Sequence, residues 1–268
     1  MLITDKFIYL ELNKTGCSHT RKILAEIFSS NVKIIGKHNT YDSISPEFLG
    51  DFENKIKVGN VRNPWDWYVS LWAYGCGQKG ALYSRLTRHE DRTKLFIKKI
   101  IKKNLNIGFS KLDSELWKQL YSDVNNHENF NIWLSLILSR KKHDIGENFK
   151  THKISEFSGL LTYRYLRLYT YRKKLHDIQS LKDLKTYDMN ENFINITIKN
   201  ESLHEDLFEN AKDLNFSQEK LKTILEGFKE KTNRSSRNGD YRIYYNNESV
   251  NLVEKYEKFI IEKYNYHF

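Results

Sequence analysis

The sequence predicts an α/β fold in which a central parallel sheet is flanked by helices. Three apolar segments with strand character lie at 6–12, 32–36 and 56–61. A helical pattern at 18–29 separates the first two, and a loop around 37–55 precedes the third. Strands that alternate with helices are typical of parallel sheets with helices on their faces. Because ligands bind such sheets at the carboxyl ends of the strands, we expect the functional site there.

From residue 64 onward the pattern is mostly helical, with one further strand. The alternating segment ENFINITIK at 191–199 is predicted to join the core sheet. Apolar residues at helical spacing predict helices at 93–105, 129–142, 201–212, 217–231 and 248–264. We predict a single domain, residues 1–268, with its core at about 1–75 and 186–268 and a helical insertion at about 76–185.

Composition limits the classes of protein to consider. The chain has 268 residues, a formal net charge of +10 and two cysteines. The charge favours an acidic partner, which could be a nucleic acid, a membrane surface or an anionic small molecule. No apolar run is long enough to cross a bilayer, the N-terminus lacks the pattern of a signal peptide, and so few cysteines fit a reducing compartment. We therefore expect a cytoplasmic protein without a transmembrane segment.

The first informative motif is NKTGCSHT, between the first predicted strand and its helix. Such a turn presents backbone N–H groups and the positive end of the helix dipole to an anion. Gly16 allows a close approach of the backbone, Lys14 adds a positive charge, and Thr15, Cys17 and Ser18 line the turn. We interpret Cys17 as a small residue in a tight turn and not as a nucleophile. The lysine precedes the glycine, so the motif is not a Walker A loop, and no GxGxxG sequence occurs.

The second motif, VRNPWDWYVS, has a similar arrangement. Arg62, at the end of the third predicted strand, can bind a phosphate through its planar guanidinium group. Pro64 occupies a favoured first position of a helix, and Ser70, about two turns along it, can approach the same anion. Together the two turns predict a pocket for a nucleotide with two separate phosphate groups.

The pair of motifs resembles the sulfotransferases that use 3′-phosphoadenosine 5′-phosphosulfate (PAPS), most of all their carbohydrate-type and bacterial members. The 5′-phosphosulfate loop of that family reads PKTGxTS or close to it, and LNKTGCSH at 12–19 is similar. The 3′-phosphate element of the family reads RNPxxxxxS, which Arg62, Asn63, Pro64 and Ser70 match. The resemblance implies a P-loop-NTPase-like three-layer fold with a central parallel sheet, flanking helices and a helical insertion.

Looser similarities extend the resemblance toward the C-terminus, and two positions depart from it. NFNIWLSLIL resembles a mid-chain helix of the family, IKNESLHEDL resembles its E-x-L-x-x-D segment, and the end of the chain resembles a terminal helix with an aromatic tail. Asn13 stands where the family usually has proline. Cys17 replaces a common Thr, Gly or Ser, so we expect it to contribute its backbone N–H alone.

The resemblance implies transfer of a sulfuryl group from PAPS, the co-substrate, to an acceptor hydroxyl, with release of adenosine 3′,5′-bisphosphate. The nucleotide-binding residues that it implies are Lys14, Thr15, Gly16, Cys17, Ser18, His19, Arg62 and Ser70. Lys14 would neutralise the charge that develops on the leaving oxygen. No metal is expected, because a sulfuryl group carries less negative charge than a phosphoryl group and the nine histidines show no metal-binding spacing.

The acceptor needs a general base, for which the sequence offers several candidates. His38, in GKHNTYD just after the second predicted strand, is favoured because it lies at the carboxyl edge and titrates in a suitable range. His19, Glu11 and Asp66 are the other candidates. The basic segment 233–242 contains glycine, and we expect it to close over the nucleotide through Arg234 and Ser235.

The acceptor itself is less constrained. A carbohydrate or small metabolite is favoured, while lipid and peptide acceptors and the oligomeric state remain open. Tyrosines alternate with basic residues at 160–174, a pattern that can bind nucleic acid, but no nucleic-acid fold signature accompanies it. We therefore expect no nucleic-acid partner. Two alternatives to the sulfotransferase are an atypical small-molecule kinase that uses ATP–Mg²⁺ and a non-enzymatic basic polyanion-binding protein.

Overall fold

The computed structural model describes residues 1–29, 31–88, 114–139, 145–171, 174–228, 237 and 239–268. These residues form an α/β structure that divides into two compact units. The first unit comprises Met1–Trp67, Leu161–Arg234 and His267. The second comprises Tyr68–Leu160, Ser235–Tyr266 and Phe268. The predicted insertion at about 76–185 and the predicted core at about 1–75 and 186–268 do not coincide with these units. Residues 161–185 of the predicted insertion belong to the first unit, and residues 235–266 of the predicted core belong to the second.

A mixed five-stranded sheet forms the centre of the first unit. Its strands are β1 (Leu2–Ile3), β2 (Phe7–Leu10), β3 (Lys33–Ile34), β4 (Ile56–Val61) and β5 (Ile196–Lys199), in the order β3-β1-β2-β4-β5. β2, β4 and β5 are parallel to one another, whereas β1 is antiparallel to both β2 and β3. The prediction of a parallel sheet is therefore correct for three strands and wrong for the other two.

The antiparallel part arises from a tight turn that the pattern did not reveal. Thr4 and Phe7 exchange hydrogen bonds, with Thr4 N donating to Phe7 O and Phe7 N donating to Thr4 Oγ1, both at 3.0 Å. This turn folds β1 back onto β2. The predicted strand at 32–36 is reduced to Lys33–Ile34 and pairs antiparallel with β1 instead of joining the parallel strands. A strand as short as β1 shows no measurable alternation, so its sequence gave no signal.

The helices of the described residues are α1 (Cys17–Phe28), α2 (Pro46–Asn54), α3 (Pro64–Cys76), α4 (Ala81–Thr87), α5 (Ser114–Leu120), α6 (His127–Leu138), α7 (Leu160–Tyr169), α8 (Leu181–Glu191), α9 (Leu203–Glu209), α10 (Gln218–Gly227), α11 (Asn247–Tyr256) and α12 (Lys258–Tyr264). Short 3₁₀ turns lie at Tyr41–Ser43, Phe149–Thr151, Lys153–Glu156, Leu175–Asp177 and Tyr241–Tyr244. The predicted helices at 18–29, 129–142, 201–212 and 217–231 are confirmed with somewhat different ends, and residues 140–142 and 229–231 of these segments lie outside the described residues. The segment predicted as one helix at 248–264 is occupied by two, α11 and α12. The predicted helix at 93–105 lies outside the described residues.

The predicted loop around 37–55 is wrong, because it contains α2. Pro46 begins the helix at a position where its missing N–H costs no hydrogen bond. Phe52 is fully buried and meets Tyr41 and Phe193 edge-on, with ring centroids 5.1 and 4.9 Å away. Gly50 in the middle of the segment lowers its intrinsic helix propensity, which the packing of Phe52 overrides. The predicted strand at 191–199 is confirmed only at its end, because Glu191 ends α8 and β5 begins at Ile196.

Alternation along the strands gives the sheet two buried faces. One face carries the apolar cluster that α1, α9 and α10 cover, with Phe7, Tyr9, Val58 and Ile198 from the sheet. On the opposite face Gly59 packs against the ring of Tyr169 at the end of α7. Helices therefore flank the sheet on both sides, as the α/β prediction requires.

The core on the first face also contains a buried polar network. Tyr9 Oη hydrogen-bonds to Asn60 Oδ1, and Asn60 Nδ2 donates to Thr20 Oγ1 at 3.1 Å. Tyr169 Oη donates to the carbonyl of Asn60 at 2.8 Å. Since a buried polar group is stable only when it is hydrogen-bonded, these bonds fix β4 against β2 and α1. Burial raises the pKa of Tyr9 well above its usual value, so it stays a neutral donor.

The second unit has an aromatic core of its own. Trp72 meets Phe130 and Tyr244 edge-on, at centroid distances of 5.3 and 5.9 Å. Tyr68 Oη hydrogen-bonds to the fully buried Glu257 and accepts from Leu160 N at 3.0 Å. Within the described residues, no helix is both long enough and apolar enough to cross a membrane.

Packing of Tyr169 on Gly59 generates a stability prediction. A Cβ at Gly59 would lie 2.6 Å from Tyr169 Cζ, which no real contact allows, so Gly59→Ala should lower the free energy of unfolding by about 1–3 kcal/mol. Gly50→Ala is the matched control, because a Cβ there meets nothing within 4 Å. In the interior of α2 it should stabilise by roughly 0.5–1 kcal/mol. Urea unfolding of both variants measures the difference, and equal stabilities would contradict this description of the sheet.

Candidate functional site

The candidate site lies at the carboxyl edge of the three parallel strands. Residues 11–16 follow β2, Arg62 and Asn63 follow β4, and Asn200 and Glu201 follow β5. Because the strands run in the same direction, the three segments leave the sheet at one edge. All of them belong to the first unit. Parts of both motifs therefore meet where the sequence predicted a ligand site.

The turn of the first motif uses two left-handed residues. Lys14 has a φ of 64° and Gly16 a φ of 79°. Lysine rarely adopts this conformation, which costs roughly 1–2 kcal/mol for a residue with a Cβ, so other contacts must hold it. Gly16 is required twice over, since a Cβ there would also lie 2.5 Å from Asn200 Oδ1. The fully buried Thr15 closes the turn, with Oγ1 donating to Leu12 O at 2.6 Å.

Helix α1 begins directly after this turn and directs its amino end toward it. Gly16 occupies the N-cap and has no side chain that could bind the amides of Cys17 and Ser18 at the start of the first turn. His19 N and Thr20 N donate to Gly16 O at 2.9 and 3.1 Å. No acidic residue lies in the first turn, so nothing on the helix neutralises the positive end of its dipole. The start of α1 can thus bind an anion.

Arg62 links the second motif to the first. Its Nη1 donates to the carbonyl oxygen of Lys14 at 2.9 Å. Its Nε and Nη2 both lie 2.7 Å from Asp66 Oδ2, and the two side chains are each 12% exposed. Asp66, one turn into α3, therefore fixes the orientation of the guanidinium group. A guanidinium has five N–H donors, so two remain for a further acceptor.

Trp67 makes a second contact from α3 to the same turn. Its Nε1 donates to the carbonyl oxygen of Asn13 at 2.8 Å. The carbonyls of two consecutive residues, Asn13 and Lys14, are therefore bound by side chains of the second motif. Because the C=O and N–H of a trans peptide point in opposite directions, the amides of Lys14 and Thr15 face away from Arg62 and Trp67.

The amino end of α3 differs from that of α1, because it is capped. Asn63 Oδ1 accepts from Trp65 N at 3.0 Å and from Asp66 N at 3.4 Å. The N–H of Asn63 in turn donates to Glu201 Oε1 at 2.8 Å. Although Glu201 is exposed as a residue, partial desolvation of its carboxyl group raises its pKa, against the lowering effect of the Asn63 hydrogen bond. A ligand anion at α3 would therefore depend on side chains such as Arg62, not on backbone amides.

His38 lies at the same edge, next to the end of β2. Its Nδ1 is hydrogen-bonded to the carbonyl oxygen of Glu11, and its φ of 57° is left-handed. A carbonyl can only accept, so Nδ1 carries the proton and Nε2 of the neutral ring has a lone pair. His38 is exposed as a residue, yet partial burial of the ring lowers its pKa below 6.5. The ring is thus neutral at pH 7 and able to accept a proton at Nε2.

The other candidate bases are already engaged. Glu11 is buried and lies 2.8 Å from the amino group of Met1 and 3.5 Å from Arg21 Nε. Asp66 is paired with Arg62, as described above. These ion pairs favour structural roles for both carboxylates. The buried His19 turns its Nε2 toward His204 Nε2, 3.2 Å away.

Cys17 lies at the first position of α1. It is buried, and its thiol hydrogen-bonds within the turn while its carbonyl accepts from Tyr9 Oη at 3.3 Å. Burial raises the pKa of this thiol to about 11. At neutral pH the thiolate is scarce, which agrees with the interpretation of Cys17 as a small packing residue.

Three predicted ligand residues are not part of the site described above. Ser70 is buried on the part of α3 that belongs to the second unit, and its predicted contact with the anion at Arg62 stays a prediction. Arg234 and Ser235 lie outside the described residues. Sequence reasoning missed Trp67 as a contact of the lysine turn and Asp66 as the partner of Arg62. The spacing of Arg62 and Asp66 by four positions was the available signal for the latter.

The described part of the chain contains no group of three or more His, Cys, Asp or Glu residues that could hold a metal ion. Comparisons with known proteins add no further assignment. A scan against protein-family models, a search of curated proteins and a search of solved structures each returned no match.

Proposed function

We propose that this protein is a PAPS-dependent sulfotransferase, which transfers a sulfuryl group to an acceptor hydroxyl and releases adenosine 3′,5′-bisphosphate. The hydrogen bond from Arg62 Nη1 to Lys14 O (2.9 Å) carries the proposal, because it joins the lysine turn to the arginine of the second motif. Two anion-binding groups from different strands are thereby held together, as a nucleotide with separate 5′ and 3′ groups requires. The similarity of both motifs to the family supports the same assignment.

The lysine turn suits the 5′-phosphosulfate. The uncapped start of α1 and the orientation of the Lys14 and Thr15 amides together form a cradle for an anion. Lys14 adds its ammonium group to this cradle. The Thr15 hydroxyl is committed to Leu12 O, so among the side chains of the turn we assign the contact with the anion to Lys14 and Ser18.

Arg62 suits the 3′-phosphate. Asp66 and the Lys14 carbonyl use three of its five N–H groups, and the other two can bind phosphate oxygens. Because the side chain is only 12% exposed, a charge-assisted hydrogen bond to it is less screened than at a fully exposed site. The family motif adds Ser70 as a second ligand of this phosphate.

The reaction that we propose is an in-line transfer. The acceptor oxygen forms a bond to sulfur while the bond from sulfur to the bridging oxygen of the 5′-phosphate breaks, and the electron pair stays on the phosphate. Lys14 and the first-turn amides of α1 stabilise the charge that develops on this leaving group. A sulfuryl group bears less negative charge than a phosphoryl group, so a lysine suffices for this role.

His38 is the general base in this proposal. Its Nδ1–H stays on the Glu11 carbonyl, and Nε2 takes the proton of the acceptor hydroxyl as the new bond to sulfur forms. The lowered pKa keeps the ring neutral before the reaction. A carbohydrate or a small metabolite is the acceptor class that we favour.

Nucleotide selectivity tests the assignment. Adenosine 3′,5′-bisphosphate should raise the melting temperature more than AMP or ATP–Mg²⁺, because only the bisphosphate occupies both the lysine turn and Arg62. Arg62→Ala should abolish this selectivity, whereas Arg85→Ala, at an exposed salt bridge of the second unit, should retain it. Equal shifts for all three nucleotides would indicate a general polyanion binder, and a preference for ATP–Mg²⁺ would indicate a kinase.

Lys14→Ala separates catalysis from binding. We expect this change to reduce kcat for sulfuryl transfer by roughly 10²–10³-fold, because it removes charge stabilisation at the leaving group. Binding of the bisphosphate product should weaken far less, since the amides of the turn remain. Lys22→Ala, on an exposed position of α1, is the matched control. Wild-type turnover in Lys14→Ala would refute the role of this lysine.

The state of His38 predicts the pH dependence. A base whose pKa is lowered from 6.5 is neutral above that value, so kcat should be constant above about pH 6.5 and fall only below it. His38→Gln should lower kcat by about 10²–10⁴-fold and remove this acidic limb. The exposed His176 provides the control substitution His176→Gln. An unchanged pH profile in His38→Gln would assign the base to another residue.

A further inference from the structure

The conformation of the lysine turn depends on contacts that lie outside the turn itself. Within it, Lys14 adopts a φ of 64°, which is unfavourable for a residue with a Cβ. Within the turn, Thr15 Oγ1 donates to Leu12 O. That bond does not fix the orientation of the peptide groups on either side of Lys14. The second motif does.

Two side chains of the second motif bind the two carbonyls that flank this residue. Trp67 Nε1 holds Asn13 O at 2.8 Å and Arg62 Nη1 holds Lys14 O at 2.9 Å. Since each carbonyl and the following amide belong to one rigid peptide, fixing the carbonyl fixes the amide on the opposite side. The orientation of the Lys14 and Thr15 amides is thereby fixed through their peptide planes.

We infer that Arg62 is a positioning residue for the lysine turn as well as a ligand of the 3′-phosphate, so that occupancy of the two anion sites is coupled. This inference rests on the proposed function. Asp66 holds the guanidinium on one edge, and Lys14 O occupies a donor on another. An anion on the remaining donors reduces the freedom of Arg62 further. It therefore strengthens the same contact that shapes the turn.

The coupling gives Arg62 an effect on ligands that never reach it. If Arg62 only bound the 3′-phosphate, a nucleotide that lacks this group would bind equally well to wild-type protein and to an Arg62 variant. If Arg62 also shapes the lysine turn, that nucleotide must bind more weakly to the variant. AMP is such a probe, since it has a 5′-phosphate and no 3′-phosphate.

Isothermal titration calorimetry of AMP and adenosine 3′,5′-bisphosphate on the wild-type protein and three variants tests the inference. In Arg62→Lys, which keeps the charge and loses the fork, the Kd of AMP should rise by roughly fivefold, the effect of one lost hydrogen bond. The Kd of the bisphosphate should rise more. In Trp67→Phe, which removes the bond to Asn13 O and shortens the ring that faces Arg164, both Kd values should rise by the same factor of roughly fivefold.

The ratio of the two Kd values is the readout that general destabilisation would not move. Trp67→Phe should leave the ratio of the AMP Kd to the bisphosphate Kd at its wild-type value, and Arg62→Lys should reduce this ratio. Trp117→Phe, the same substitution at a buried tryptophan of the second unit, should change neither Kd. Circular dichroism and the melting temperature identify variants that do not fold. Trp67→Phe alone still tests the turn if Arg62→Lys fails to fold.

The possible failures are distinguishable. A wild-type protein that binds neither nucleotide refutes the proposed function and the coupling together. A wild-type protein that prefers the bisphosphate, with AMP affinity unchanged within twofold in both variants, refutes the coupling and leaves the proposed function intact.

Discussion

The candidate site depends on the orientation of two peptide groups, on either side of Lys14. Arg62 and Trp67 bind their carbonyl oxygens, and the amides consequently face the other way. This arrangement requires the parallel pairing of β2 with β4, in which Leu10 lies opposite Gly59. A change of register by one residue would move Arg62 along the edge and separate it from the turn. The sheet therefore determines the chemistry of the turn through its register.

The buried polar network also supports the lysine turn, from inside the core. Asn60 connects Tyr9 on β2 with Thr20 on α1, and Thr20 Oγ1 lies 3.4 Å from the Gly16 carbonyl. The turn is thus held on one side by the second motif and on the other by hydrogen bonds that reach into the core. Rigid support of this kind matters for transfer reactions, because their catalysis rests mainly on alignment and on preorganised charge.

The elements that carry the motifs could be predicted from the sequence because their signals are local. β2, β4 and the start of α3 at Pro64 each have a strand or helix signal within a few residues. The sequence predicts β3 as a strand but not its antiparallel direction, which its pairing with β1 defines. β1 and α2 could not be predicted, since β1 is defined by antiparallel pairing and α2 by the packing of Phe52. The same distinction applies to the site. Lys14 and Arg62 are recognisable from their motifs, but the contact of Trp67 with Asn13 spans 54 positions and has no local signature.

The short antiparallel edge of the sheet has a consequence for how this protein behaves in concentrated solution. β3 consists of Lys33 and Ile34 only, both exposed, and it ends the sheet on the side away from β5. A two-residue strand exposes few unpaired amides and carbonyls, and its lysine places a charge where another chain would have to dock. This border therefore resists the edge-to-edge addition of strands that leads to aggregation.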